Sequence, residues 1–175
     1  HRMHTVWYTA PSGDDLPNPT AEQMVVFMRQ DYDGNWGPYS PVGVLCWHEH
    51  PKQKVPTRAG LGTDTERQQL LFVRHPKRGW YFEFSTSNLP TERWLVPLDP
   101  AADRDKYLKH WAYGEQLHFL AGCFVPQTVA ERVVTEFLAT REPPDAVAWV
   151  PFEGVQPRLA PDDYRERRRQ ARGGT

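Results

Sequence analysis

Cysteine is scarce. Cys46 and Cys123 are the two in 175 residues, too few for the disulfide framework that staples small secreted domains. Long apolar runs are missing as well, none approaching the roughly 18 to 20 residues of a membrane span. The opening HRMHTVWYTA has no apolar segment of signal-peptide length. The expected setting is therefore a reducing cytoplasm with no membrane partner. His1 and Arg2, ahead of Met3, are read as vector-derived, with Met3 the expected native start. Catalytic signatures are lacking too: there is no G-x-S-x-G, no H-E-x-x-H and no Walker-type phosphate loop. Gly60-Leu61-Gly62 follows a polar loop rather than a strand and has no lysine after it, so it reads as a turn. His48-Glu49-His50 matches half of a zinc-deaminase signature, but the P-C-x-x-C that would complete the metal shell is absent. Strong net charge is missing, at −1 overall. The last 15 residues carry five Arg against three acidic side chains, leaving the body mildly acidic. A domain built to bind nucleic acid usually has the opposite sign over its folded part.

Aromatics and proline are abundant, with seven Trp, seven Tyr, eight Phe and 17 Pro. The length suits one domain that buries its own core, expected over residues 3–153. Residues 154–175 are then an Arg-rich extension, either a short helix or disordered. Thr5 to Ala10 alternates as a strand. Thr20 and Gln23 form a capping box ahead of the stripe Met24, Val25, Phe27 and Met28. Asp31 to Pro41, DYDGNWGPYSP, is broken by Gly and Pro. A strand follows over 42–48, then a long polar loop to Glu66. Gln69 to His75 and Gly79 to Thr86 form a hairpin. Leu70 to Val73 is apolar on both faces and suggests a central strand, whereas Tyr81 and Glu83 predict a half-exposed face on its partner. Arg93 to Leu98 is a further strand, edge or bulged because of Pro97, and 107–113 and 118–125 are weaker candidates. Near the C-terminus, Thr128 and Glu131 predict a second capping box, with Val129, Ala130, Val133, Val134, Phe137 and Leu138 as the buried stripe. Pro143-Pro144 ends that helix, and Ala146 to Val150 reads as a strand covered on both faces. The fold class expected is α+β, a twisted and mostly antiparallel sheet with two main helices packed on it.

Candidate sites follow from residue chemistry. Cys46, His48 and His50 alternate on one strand and share a face, a donor set suited to zinc. Against a metal site stand the lack of a fourth ligand and Pro51, which is expected to end the strand before His50; the competing reading is a core Cys with surface His residues. Cys123 with His110 or His118 as base is a formal nucleophile pair, but FLAGCFV is the setting of a buried, inert thiol. The Arg-rich tail offers a phosphate contact or a solvated end. What remains is protein recognition. Trp36 and Tyr39 sit in the Gly/Pro loop with Asp31 and Asp33, and Trp111, Tyr113 and Glu115 cluster around Gly114. Aromatics on loops dominate interface energies, and carboxylates among them, with Glu49, Asp64 and Glu66 on other loops, favour a basic partner. The alternative is that each Trp caps the core from its loop.

The region from Thr128 to Trp149 resembles family one of the bacterial polymorphic-toxin immunity proteins. The resemblance rests on Ala130, then Glu136-Phe137-Leu138-Ala139-Thr140, the polar pair Arg141-Glu142, Pro143-Pro144, and Val147-Ala148-Trp149. It extends upstream through Trp7-Tyr8, the Thr20-capped helix and a Tyr113-Gly114 step before Val125-Pro126. The member that guards against a DNA cytosine deaminase toxin ends in a similar way. The loop 49–66 and the tail beyond Glu153 depart from the pattern. The resemblance implies a non-enzymatic immunity protein that binds and neutralises a cognate toxin domain, often a nucleic-acid deaminase, by blocking its active site. It implies no catalytic residue, metal or cofactor, no small-molecule substrate and no direct nucleic-acid contact. The expected partner contacts are Asp31, Asp33, Trp36, Tyr39, Trp111, Tyr113 and Glu115. Two other classes stay open: a metal-dependent enzyme using Cys46, His48 and His50, and a nucleic-acid-binding module using the tail.

Overall fold

The computed structural model describes residues 2–51, 65–159, 169 and 171–173. The expected turn at Gly60 to Gly62, the carboxylate of Asp64 and most of the Arg-rich tail lie outside the described residues.

Seven strands form one antiparallel sheet in the order β2-β1-β3-β4-β5-β6-β9. β1 (Arg2–Thr9) pairs along its whole length with β3 (Val42–Pro51), and short β2 (Asp15–Pro17) borders it. β4 (Arg67–His75) and β5 (Gly79–Ser87) form the expected hairpin, in register from Arg67↔Ser87 to His75↔Gly79. β6 (Trp94–Pro97) and β9 (Trp149–Pro151) complete the far side. Alternation sends Val6, Tyr8, Leu45, Leu70, Phe72, Phe82 and Phe84 to one face, where all are buried. That face is closed by two helices, α1 (Ala21–Met28) and α3 (Gln127–Thr140); α2 (Tyr32–Asn35) is a single turn distorted at Asp33 and Gly34. No helix among the described residues is long and apolar enough to cross a membrane.

The opposite face carries a second layer. β7 (Tyr107–Ala112), β8 (Glu115–Leu120) and β10 (Arg158–Leu159) form a separate three-stranded sheet. Val73, Tyr81, Val96, Ala112, Phe119 and Cys123 are buried in the cluster between the two sheets. This layer overturns the half-exposed face expected for β5: Trp80 through Phe84 are all buried, because Tyr81 and Glu83 face a sheet rather than water. It also carries the folded chain past Glu153. Val155 is buried, and Arg158 and Leu159 pair with His118 and Leu117.

The helix ends separate sound local rules from overridden ones. At α1 both capping-box bonds form, Thr20 N–H to Gln23 Oε1 at 2.9 Å and Gln23 N–H to Thr20 Oγ1 at 3.1 Å, satisfying two otherwise orphaned donors. The box expected at Thr128 does not form. α3 begins two residues earlier, with Pro126 as its cap and no side-chain cap bond. Glu131 is instead engaged by Arg29 at the end of α1, at 2.6 and 3.2 Å, and by Gln127 Nε2 at 3.0 Å. A tertiary ion pair has taken the carboxylate that local capping would use. The strand expected over Ala146 to Val150 is likewise corrected. β9 has three residues, lies at the border of the sheet and, among the described residues, pairs with β6 alone. Trp149 folds back, its Nε1–H donating to Pro144 O at 2.8 Å, which keeps residues 144–148 in a compact loop.

Candidate functional site

The loop after α1 and the β7–β8 hairpin are far apart in sequence, and the second layer brings them together. Tyr32 packs near His110, with ring centroids 6.5 Å apart. Tyr39 meets Trp111 edge to face at 5.6 Å and 89°, a geometry that the ring quadrupoles favour. Gly114 N–H donates to Tyr39 O at 3.3 Å. Both aromatics stay exposed, Tyr39 at 65% and Trp111 at 38%.

Tyr113 and Gly114 form the hairpin turn, with φ of 56° and 73°. Two successive left-handed residues define the tight turn that matches strand twist, a place normally taken by Asn-Gly or Asp-Gly. A tyrosine there costs roughly 1–2 kcal/mol of backbone strain. Its side chain supplies a compensation, since Tyr113 OH donates to Glu83 Oε2 at 3.1 Å. The other carboxylate oxygen of Glu83 accepts Trp94 Nε1–H at 2.9 Å. One buried carboxylate thus ties the turn of the small sheet to β6 of the large one. Burial pushes the Glu83 carboxyl above its usual range, while the bonds from Trp94 and Tyr113 pull the other way. Burial, reinforced by the charge of Glu83, also raises the Tyr113 phenol.

Trp94 extends the aromatic surface further. It is 51% exposed, yet its ring is stacked on Phe152 at 3.8 Å with an interplanar angle of 3°. A chain of contacts therefore runs from Trp111 through Tyr39 to Gly114 of the turn, and from the adjacent Tyr113 through Glu83 and Trp94 to Phe152. Sequence reasoning missed Glu83, Trp94 and Phe152. The available signal was an acidic residue inside WYFEF, a strand whose neighbours are all aromatic.

The remaining expected contacts divide. Asp31 and Asp33 are exposed on the same loop as Tyr39, and Glu115 is half-buried beside the turn. Trp36 is a correction: at 3% exposure it is a core residue, edge-on to Trp80 at 4.8 Å and donating its Nε1–H to Phe27 O at 3.0 Å. It holds the loop down rather than offering a surface. Glu49 lies at the far end of β3, roughly 20 Å along the strand from this loop at about 3.3 Å per residue. It sits beside Glu66, and the hydrogen bond between their carboxyls holds Glu49 low and Glu66 high.

The other chemistry of the chain takes structural roles. β3 continues through Pro51, so His50 does align with Cys46 and His48, contrary to the end expected before it. Neither imidazole is on the surface, as the competing reading held: both are buried, His50 Nε2 lying 2.6 Å from Thr5 Oγ1 and His48 Nδ1 lying 3.3 Å from Thr65 Oγ1. Among the described residues no group of three or more His, Cys, Asp or Glu is arranged to hold a metal ion. Burial pushes the Cys123 thiol up to about 12, where a thiolate nucleophile is scarce at neutral pH. His110 is held by Arg74 O at 2.6 Å, and His118 packs near Tyr107.

Among curated proteins, none matches the chain. A family model does: the one described as Immunity protein Imm1 matches residues 37–151. That span runs from the loop that carries Tyr39, through β3 to β8 and α3, to the end of β9, and on this match the chain belongs to the Imm1 family of immunity proteins.

Proposed function

We propose that the protein binds a cognate bacterial toxin domain in the cytoplasm of the producing cell and neutralises it by covering its active site. The toxin class proposed is a nucleic-acid deaminase, and the protein itself acts by binding rather than by catalysis. The observation that carries the reading is the Tyr39–Trp111–Tyr113 surface. Its three aromatics are exposed yet held by ring contacts and by hydrogen bonds to the loop and to Glu83. Exposed aromatics of this kind lose little freedom on binding, which converts buried area into affinity. Asp31, Asp33 and Glu115 lie around them and would meet the basic cleft of an enzyme that holds a polyanion.

The experiment is a titration of the protein against the toxin domain encoded beside it. Calorimetry is expected to give a stoichiometric complex with Kd of order nanomolar, about −12 kcal/mol, and co-expression should abolish deamination of DNA or RNA. A neighbouring toxin that neither binds nor loses activity would sink the reading. Tyr39→Ala and Trp111→Ala together should weaken the complex by about 2 kcal/mol or more, some thirtyfold, with the fold intact by circular dichroism. An unchanged affinity would remove this surface from the interface.

A further inference from the structure

A groove of about 420 Å³ opens beside Trp94, between the turn that joins β5 to β6 and the 3-10 turn Phe152–Gly154 after β9. Its walls include the hydroxyls of Ser85 and Ser87, the carboxylates of Glu92 and Glu153, and the stacked pair Trp94–Phe152. We propose that this groove receives an arginine side chain of the protein partner, a proposal that rests on the reading of the chain as a toxin-binding protein.

Three observations carry it. The first is that Trp94 is immobilised while half exposed, stacked on Phe152 and hydrogen-bonded through Nε1 to Glu83. An indole fixed in this way has one edge and one face committed, and a flat cation is the partner that its ring quadrupole attracts most strongly. The second is the charge of the walls. Arg93 also lines the groove, but its guanidinium is paired with Glu142 at 2.6 Å and lies 5.1 Å from the Phe84 ring centroid. With that cation neutralised, the exposed Glu92 and Glu153 leave the groove net negative, and neither has an ion-pair partner among the described residues. An anion would meet like charge there, and an apolar side chain would strip water from two carboxylates without replacing it. The third is hydrogen-bond capacity. Carboxylate and hydroxyl oxygens accept, and a guanidinium presents five N–H donors in the plane that also stacks on an aromatic ring. A lysine ammonium would satisfy the charge but not the plane. The volume, at the low end for ligand sites, suits a single side chain.

The test has two arms. In the first, isotope-labelled full-length protein is titrated with N-acetyl-arginine amide, and the Trp94 indole N–H resonance is followed. A saturable shift is expected in the millimolar range, several times tighter than with N-acetyl-lysine amide. It should be weakened in Glu92→Gln/Glu153→Gln, whose side chains are exposed and whose fold is retained, and the accompanying shifts of the Ser85 and Ser87 backbone amide resonances should be lost in Trp94→Ala. No saturable shift, or an equal response to both amides, overturns the proposal. In the second arm the toxin domain is titrated against Glu92→Lys/Glu153→Lys, and a tenfold or greater loss of affinity is expected. A toxin that binds the wild type and the charge-reversed protein equally overturns the groove proposal and leaves the functional reading standing. A toxin that fails to bind even the wild type overturns the functional reading, and with it the protein occupant of the groove, whatever the first arm shows.

Discussion

Trp36 and Tyr39 lie in one Gly/Pro loop and meet opposite fates. The indole of Trp36 enters the core against Phe72 and Trp80, and the ring of Tyr39 stands in solvent against Trp111. Trp36→Ala is therefore expected to cost about 3–5 kcal/mol of stability, from lost burial and the cavity left behind. Tyr39→Ala should cost less than about 1.5 kcal/mol, the value of an aromatic pair. Urea denaturation of the two variants separates them, and equal midpoints would contradict the assignment. Glu83 makes a second prediction at this scale. Its carboxyl titrates above its unfolded value, so the folded state holds the proton more tightly. Its contribution is fully present below the ordinary carboxylate range and is lost as pH rises through the elevated folded value. Glu83→Gln should flatten that limb of the stability profile, and a profile identical to wild type would show that burial does not perturb the carboxyl.

Among the elements, the junction between β5 and α3 is the most sharply specified. Trp80 and Val125 exchange both backbone hydrogen bonds, at 2.9 and 2.8 Å, and Trp80 Nε1–H donates to Gln127 Oε1 at 2.7 Å. The approach depends on Gly79. Its φ is +88°, and a Cβ built there would lie 2.1 Å from Val125 O. Gly79→Ala should cost about 2 kcal/mol or more, because strain from the positive φ adds to a clash with backbone that cannot give way. The expected readout is a thermal midpoint lowered by several degrees, and an unchanged midpoint would mean that the junction is not rigid. The cross-helix pair Arg29–Glu131 is a milder case. Arg29 is largely exposed and Glu131 mostly covered, so Arg29→Ala is expected to lower the urea midpoint only slightly, with the loss reduced at high salt.

Over the whole molecule, stability should fall with acid through His75. Burial, with the nearby His110, Arg78 and Lys77 charges, lowers its pKa to about 4, and its Nδ1 accepts from the N–H groups of Lys77 and Arg78 at 3.0 Å each. The unfolded chain takes up a proton near 6.5 that the folded chain refuses until about 4. Stability from this group is complete above 6.5 and is lost as pH falls from there towards 4. His75→Gln should remove part of that acid limb in denaturation midpoints measured across the window, and an unaltered limb would exclude His75 as its source. The main sheet and both long helices were legible because their hydrophobic periods are strong and local, as at Leu70 to Val73 and Val133 to Phe137. The second sheet was not. Tyr81 and Glu83 read as an outer face, and no local pattern says that residues 107–120 fold back over them. The same blind spot governed the site: exposed Tyr39, Trp111 and Tyr113 were visible as loop aromatics, whereas Glu83 and Trp94 join them only through tertiary contact.

The borders of the large sheet have a consequence beyond architecture. β2 and β9 have three residues each and end in Pro17 and Pro151. Proline lacks the N–H that an incoming strand would need, and such short borders give a second chain almost no ladder to extend. Along these two strands the sheet is thereby poor at templating edge-to-edge aggregation, even though its central strands are long and apolar. For an immunity protein, this favours a high standing concentration of folded chains: supply can exceed demand without the surplus precipitating.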